Sequence, residues 1–276
     1  MYNVSVLAMF KNESWIIKEW LEHYLQEGIE HFYLIDNGSD DDYLDKIQPY
    51  IVNGKITLIK DPYRQKLGTQ DILYNKHFLK QIKEETIWII VADMDEYIYA
   101  RNGFKTISEY LSSVPPTIGK IVLPWKLFGS NGIITHPNKI IPVFTQRQSD
   151  KDYLQYSKLN RLGYSKTIAR TTNLNNVKTH DQCISSGEVV FSDYTSSSDY
   201  LRYDSAKQFL HINHYTHLSL QYYNEIKIKR GGGQGGVYDM ARFNILDEMC
   251  NAITDMELSN KKLHTDQNKR VGSNLM

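Results

Sequence analysis

Asp-x-Asp occurs three times in the chain, as Asp40/Asp42, Asp93/Asp95 and Asp150/Asp152. Only Asp93/Asp95 follows a fully apolar stretch, Thr86 to Ala92, that reads as a buried strand. In an extended segment, residues two apart point to the same side. Two carboxylates at a strand end can therefore share one hard divalent cation, which leaves positions open for phosphate oxygens and acts as a Lewis acid. The plainer alternative is a solvated acidic turn or a helix cap. Asp36 ends another apolar run, where an acceptor can read the ring N–H of a uracil or the hydroxyls of a ribose. Within Asp36-Asn37-Gly38 it equally fits a turn that needs no ligand. Lys227 and Arg230 close a helical pattern just before Gly231-Gly232-Gly233-Gln234-Gly235-Gly236. There they either complement the helix dipole or clamp a diphosphate. His211, His214 and His217, at spacings of three, cannot share one side of a strand, and on composition each reads as a surface or core histidine.

The elements that must position these groups follow from periodicity. Strands at Val4 to Phe10, Phe32 to Ile35, Lys55 to Lys60 and Thr86 to Ala92 alternate with helices at Ser14 to Gln26, Tyr43 to Tyr50 and Thr69 to Glu84. The first helix carries Ile17, Leu21, Tyr24 and Leu25 on one face and ends at Gly28; the third carries Ile72, Leu79 and Ile82. This alternation predicts an α/β fold with a mostly parallel sheet. Such sheets bind ligands outside the carboxyl ends of their strands. Those ends carry Lys11-Asn12-Glu13, Asp36-Asn37, Asp61 to Arg64, and Asp93 to Glu96. After Pro115-Pro116 the pattern changes to strand-like pieces at Lys120 to Pro124, Ile140 to Phe144, Thr167 to Arg170, Glu188 to Phe191 and Phe209 to Ile212. Helices at about 218–229 and 238–254 flank the glycine run, which reads as a hinge or a backbone anion cradle. Residues 256–276 read as a polar, frayed tail.

Composition excludes several classes. The 276 residues hold 32 Lys+Arg against 32 Asp+Glu, for zero formal charge. A protein held to nucleic acid or to an anionic membrane by bulk charge needs a basic excess. The apolar fraction of 41% is that of a globular chain, and no run of about 18 apolar residues crosses a membrane. Cys183 and Cys250 are too few for a disulfide framework or a cysteine zinc site. There is no G-x-G-x-x-G after the first strand, no P-loop, no G-x-S-x-G and no H-E-x-x-H, which argues against dehydrogenases, P-loop NTPases, serine hydrolases and zincins.

Taken in order, several blocks resemble glycosyltransferase family 92. Lys11-Asn12-Glu13 with Glu19-Trp20, His23 and Gly28 resembles its K-N-E…E-W-x-x-H…G. Phe32 to Asp41 resembles h-f-y-l-y-D-N-x-S-x-D, and Trp88 to Tyr97 resembles W-x-x-x-x-D-x-D-E-F. Trp125 to Gly132 is close to W-x-x-F-G-S-x-G, and Lys166 to Arg170 resembles K-S-I-v-r. Asn213-His214-Tyr215, Ser219, Lys227, Arg230 and Gly231 resemble N-H-Y-x-x-K-S…K-x-x-R-G. Two departures are His217-Leu218-Ser219 in place of the usual Lys-Ser, and Tyr97 in place of Phe. The matches span about residues 3–235.

The resemblance implies a GT-A fold: one domain over residues 1–255, with a nucleotide-binding half (1–114) and an acceptor-binding half (115–255). It implies a sugar, galactose or xylose favoured, moved with inversion from a UDP-sugar donor to a glycan hydroxyl, with Mn²⁺ (or Mg²⁺). Carried onto this chain, Asp93 and Asp95 hold the metal, with His214 as a third ligand. Asp36 and Lys11, Asn12 and Glu13 hold the nucleoside, Lys227 and Arg230 steady the diphosphate, and Arg64, Asn75 and Met94 complete the donor side. Trp125 and the loop through Phe128, Gly129 and Ser130 face donor sugar and acceptor. Asp181 takes the acceptor proton, with Asp152 as the second choice. Animal members are Golgi-anchored, so the absence of an anchor predicts a cytoplasmic bacterial enzyme, or a viral one acting in the host cytosol. The alternatives are a sugar-nucleotide pyrophosphorylase, which needs a Gly/Arg-rich loop where Phe10 to Glu13 stands, and a non-catalytic carbohydrate-binding protein of the same fold.

Overall fold

The computed structural model describes residues 1–65, 67–152, 165–198, 200–231 and 238–264. The first half follows the alternation closely. Strands β1 (Tyr2–Phe10), β2 (His31–Asp36), β3 (Ile56–Lys60) and β4 (Thr86–Val91) pair in parallel in the order β3-β2-β1-β4. Residues two apart on β1 face one layer: Val4, Val6 and Ala8 pack with helices α1 (Ile17–Gln26), α2 (Tyr43–Val52) and α5 (Ile107–Ser113). Leu7 faces the other layer, with α3 (Thr69–His77) and α4 (Leu79–Glu85). Helices on both faces leave the strands no polar side, so β4 reads as an unbroken apolar run. Full burial of one such residue, Leu21, contributes ~1.5–3 kcal/mol.

Two expectations need correction here. The helix expected over Thr69 to Glu84 is two helices, broken at Phe78. Phe78, at φ −127°, buries its ring beside Leu73, Tyr74 and Ile82, so these form the core face, while Ile72 is 42% exposed. The strand expected over Ile140 to Phe144 is a turn. Its apolar residues are loop anchors, and the N–H groups of Ile140 and Ile141 donate to the Glu19 carboxylate.

The second half completes the sheet by long-range pairing. β5 (Glu96–Ala100), β6 (Ile118–Leu127), β8 (Ser165–Arg170) and β12 (Leu210–His214) extend it as β4-β8-β6-β12-β5, with β11 (Glu188–Phe191) beside β6. β8 runs antiparallel to both β4 and β6. Short pairs form outside it: β7 (Gln146–Arg147) with β13 (Ile253–Thr254), and β9 (Leu174–Asn176) with β10 (Cys183–Ile184). A helix α6 begins at Leu220–Tyr222 and continues as a π-helix over Tyr223–Ile228; α7 is Met240–Cys250.

Residues 257–264 form a last helix, which corrects the start of the expected tail. Glu257 accepts from Tyr99 Oη at 2.8 Å, Arg101 Nε at 2.5 Å and Lys126 Nζ at 3.2 Å, and Leu258 is buried. The rest of that tail, from 265, and the glycine run from 232 to 236 lie outside the described residues. No helix among the described residues is long and apolar enough to cross a membrane.

Candidate active site

The carboxyl ends of β1, β2 and β4 open into a cleft of about 830 Å³. Its floor is the connection between β4 and β5. Asp93 N–H donates to Glu96 Oε2 at 2.8 Å, and Glu96 N–H donates to Asp93 O at 3.0 Å. The D-x-D pair therefore sits in a closed turn rather than on an extended strand end. Glu96, with no exposed surface, causes this by capturing the N–H that β4 leaves unpaired.

One face of α1 holds the turn in place. Trp20 Nε1 donates to Asp93 O at 2.9 Å, His23 Nε2 to Ile98 O at 2.6 Å, and Tyr24 Oη to Glu96 O at 3.1 Å. Positions three and four apart share a helix face, so the E-W-x-x-H pattern and the D-x-D-E pattern are two sides of one contact. Gly28 ends α1 with φ +83°, and an added Cβ there would lie 2.7 Å from Ser108 Cβ. Both the turn and the packing of α5 demand glycine.

Each aspartate carries its own ammonium partner. Asp93 Oδ2 accepts from Lys166 Nζ at 2.9 Å, and Oδ1 accepts from Gln70 Nε2 at 3.0 Å. Asp95 Oδ2 accepts from Lys227 Nζ at 2.6 Å, and Oδ1 lies 3.5 Å from His214 Nε2. Lys166 and Lys227 are 0% and 2% exposed. Burial works to raise both carboxyls. Lys166 beside Asp93, and Lys227 then His214 beside Asp95, outweigh it, so both lie below the usual carboxylate range, Asp95 far below. Glu96 differs: burial pushes it up to about 7 against the pull of Lys166.

Asp95 Oδ1 and His214 Nε2, 3.5 Å apart, are the donor atoms that could hold a divalent ion together, a set that manganese accepts. Among the described residues, no three His, Cys, Asp or Glu side chains are gathered closely enough to hold an ion by themselves. Two protein ligands fit the Mg²⁺-like mode, in which substrate phosphates and water complete the shell.

The walls sort the remaining expected residues. Lys11, Glu13, Arg64, Met94, Trp125 and Arg230 line the cleft. Glu13 accepts from Tyr222 Oη and pairs with Arg230, and Arg64 donates to Asn37 Oδ1 at 2.9 Å and Arg230 O at 3.1 Å. Trp125 packs between His214 and His180, with ring centroids at 4.5 and 5.4 Å.

Several expected residues are placed elsewhere. Asp36 is 3% exposed, with its oxygens taken by Ser39 N–H and Tyr43 Oη, so its neighbour Asn37 lines the cleft instead. Asn12 tethers Ser39 and Asp40. Asn75 pins Val177 through both its amide groups, which fixes the segment leading to Thr179 and His180. Lys227 is spent on Asp95 and Thr216 O rather than facing a diphosphate. Phe128 is fully buried, Ser130 is 2% exposed and bonded through N and Oγ to Asp247, and Gly129 lies against Asn251. This loop docks α7 rather than a sugar. Asp181 pairs with Lys120 Nζ at 2.5 Å outside the cleft lining, and Asp152 accepts from Ser149 Oγ.

Other cleft residues were not singled out by the sequence reading. Gln70 and Thr179 line it, as does His180, whose Nδ1 has no partner among the described residues. Burial, then Lys166, pushes His180 down to about 4. Lys166 stands at the head of the K-S-I-v-r block, which by itself implies no role for it. Its signal is register: Ile90 pairs with Ile168, so Lys166 falls opposite Ala92, next to Asp93. From α7 come Arg242, Ile245, Leu246 and Met249, and Asp239 caps its first turn, accepting from Arg242 N–H at 2.8 Å.

Comparison with known proteins adds the family. A glycosyltransferase family 92 protein of Arabidopsis thaliana is 23% identical over 163 residues, 55% of this chain and 28% of that protein. One from Oryza sativa subsp. japonica is 24% identical over 143 residues, 50% of this chain and 23% of that protein. The chain thus spans about a quarter of the length of these curated relatives. Among solved structures, S. aureus TarS 1-349 in complex with UDP is 19% identical over 61% of this chain and 47% of that one, at TM-score 0.39. Glucosyl-3-phosphoglycerate synthase from Mycobacterium tuberculosis, in complex with Mn²⁺, UDP and glucosyl-3-phosphoglycerate, is 12% identical over 63% and 58%, at TM-score 0.32. The family model of glycosyltransferase family 92 matches residues 1–270, and the chain belongs to that family.

Proposed function

We propose that the cleft binds a UDP-sugar, with galactose or xylose favoured, together with Mn²⁺ or Mg²⁺, and transfers the sugar with inversion to a glycan hydroxyl. The observation that carries this reading is the D-x-D-E turn on the cleft floor, tied to α1 and flanked by His214. Asp95 and His214 hold the ion, with Asp93 beside them; when bound, the ion supplies positive charge to the leaving diphosphate. Lys11, Asn37 and Arg64 surround the nucleoside end. Arg230 releases Glu13 to meet the phosphates, which offer it more charge than one carboxylate does.

The acceptor proton needs a base on the cleft wall. Glu13, Asp93 and Asp95 each carry a basic partner. The Asp239 carboxylate, among the described residues, accepts only from Arg242 N–H. We assign the proton to Asp239. The acceptor oxygen bonds to the anomeric carbon as its proton passes to Asp239, and the electron pair of the breaking C–O bond leaves with UDP.

Thermal unfolding with nucleotide tests the reading. UDP with Mn²⁺ raises the melting temperature, Mn²⁺ alone gives a small shift because two protein ligands do not hold it, and EDTA abolishes the UDP gain. No shift with UDP, with or without metal, would overturn the donor site. Asp239→Asn, with UDP binding intact, abolishes turnover; turnover at the wild-type rate would return the base to another group. Among the alternatives, a pyrophosphorylase would form UDP-sugar from UTP and sugar phosphate, and a carbohydrate-binding protein would show no transfer to any acceptor.

A further inference from the structure

The two walls of the cleft are chemically unlike. The strand-end wall carries nearly all of the charge, with Lys11, Glu13, Asp93, Asp95, His214 and Arg230 set among Met9, Phe10, Met94 and Trp125. The opposite wall is one face of α7, where Ala241, Ile245, Leu246 and Met249 recur at helical spacing, with Leu127 at the end of β6 continuing the surface. Arg242 is the polar group of this stripe, and it lies at the helix's first turn, over the Tyr238 ring at 5.3 Å.

The helix is not turned this way by default. Its opposite stripe is the docked one: Phe243 packs on Tyr223 and His217 at 4.8 and 5.4 Å, and Asp247 holds Ser130. The Asp247 contact fixes the helix's rotation and so commits aliphatic side chains to the cleft. Ile245 is 69% exposed. Leu246 and Met249 beside it are partly buried, and Met249 also packs on the main core, so the three make a continuous apolar lining rather than one isolated exposed side chain.

A sugar ring presents hydroxyls that each need a partner on desolvation. The stripe from Ile245 to Met249 offers none, whereas the strand-end wall offers many. We infer that α7 receives an apolar aglycone, an alkyl chain carried by the acceptor, so that the acceptor is amphipathic: a hydroxyl-bearing head toward Trp125 and Asp239, and a hydrocarbon tail along Ile245, Leu246 and Met249. The occupant follows from continuity, because this wall and the D-x-D turn enclose one cavity. Met249 suits a tail of variable shape, since its thioether side chain adapts to irregular surfaces. The inference rests on the transferase reading above and adds the acceptor's class.

The test uses the full chain saturated with UDP and Mn²⁺, and titrates methyl and octyl glycosides of galactose, glucose and xylose, kept below their micelle concentrations, by calorimetry. UDP binding is measured first: if it is absent, the transferase reading fails, whatever the acceptor does. With UDP bound, at least one octyl glycoside is expected to bind tenfold or more tightly than its methyl counterpart. Ile245→Asn with Met249→Gln should erase that preference and keep the UDP thermal shift. Equal binding of methyl and octyl pairs, or a preference that survives the double variant, overturns the aglycone site. So does a dimer in gel filtration that Ile245→Asn dissociates, because the stripe would then belong to a second copy.

Discussion

Two structures face each other across the cleft, and they are held by different physics. The D-x-D-E turn is anchored by three polar groups of one α1 face and by two buried lysines, with nearly every polar atom assigned. α7 is anchored by a few contacts on its rear, chiefly Asp247 with Ser130 and Phe243 with Tyr223, and turns exposed side chains to the cleft. The first arrangement suits a wall that must hold charge in a fixed place, since preorganised groups need no rearrangement when charge develops. The second suits a wall that accommodates varied shapes. The stiffness of the D-x-D-E floor and the tolerance of the opposite wall are thus written in their contact chemistry.

The comparison breaks most readily at Lys166. Lys166→Met leaves the fully buried Glu96, and the partly exposed Asp93 beside it, without their cation, at an expected cost of about 3–5 kcal/mol in urea unfolding. Adding Asp93→Asn to that variant should recover part of the loss; no recovery would mean that Lys166 acts through packing. Lowering the pH should act on the α7 side. Burial holds His217 down to about 4, with Asp247 opposing, and its ring packs against Phe243. A histidine whose folded value lies below its unfolded value adds stability that is present above about pH 6.5 and lost as pH falls toward 4. Between pH 8 and pH 5 this amounts to about 2 kcal/mol, and His217→Asn should lessen the dependence by that amount, while His136, His180 and His211, also held down to about 4 by burial, keep their own share. A slope unchanged in that variant would assign the acid sensitivity elsewhere.

A smaller effect separates position from fold. Trp20→Phe removes the N–H that Asp93 O accepts, at about 1–3 kcal/mol, and should weaken binding of UDP with Mn²⁺ by more than it weakens binding of uridine. Equal losses would make Trp20 a packing residue only. Smallest is Asp247→Ala, which releases Ser130 N and Oγ at about 1–2 kcal/mol. It should speed amide exchange within α7 while leaving exchange at Asp93 to Glu96 unchanged. Acceleration in both places would show that the walls are one cooperative unit.

How much of this was legible beforehand depends on sequence distance. β1 to β4 and α1 were readable because each is specified by its own periodicity, and the parallel order follows from short crossovers. The D-x-D pair was readable because it interrupts the most apolar run of the chain. What was not readable is what other segments contribute. Lys166 reaches Asp93 from a strand more than seventy positions away, and no local pattern records that pairing. The Phe128 to Ser130 loop looked like a ligand loop because its glycine and serine suit one, yet Asp247 and Asn251 use those same properties to seat a helix. Asp181 is a carboxylate, the type a proton acceptor needs, yet its neighbour His180 lines the cleft: one position along an irregular segment decides which side chain meets it.

The lysines beneath the acidic pair have one more effect. A floor that brings its own ammonium groups has little net field with which to collect calcium or magnesium from the surrounding fluid. On the proposed reading, the choice of ion then passes from the protein to the nucleotide that escorts it. Selection among metals becomes a property of the incoming complex, and the unloaded cleft stays indifferent to changes in ionic milieu.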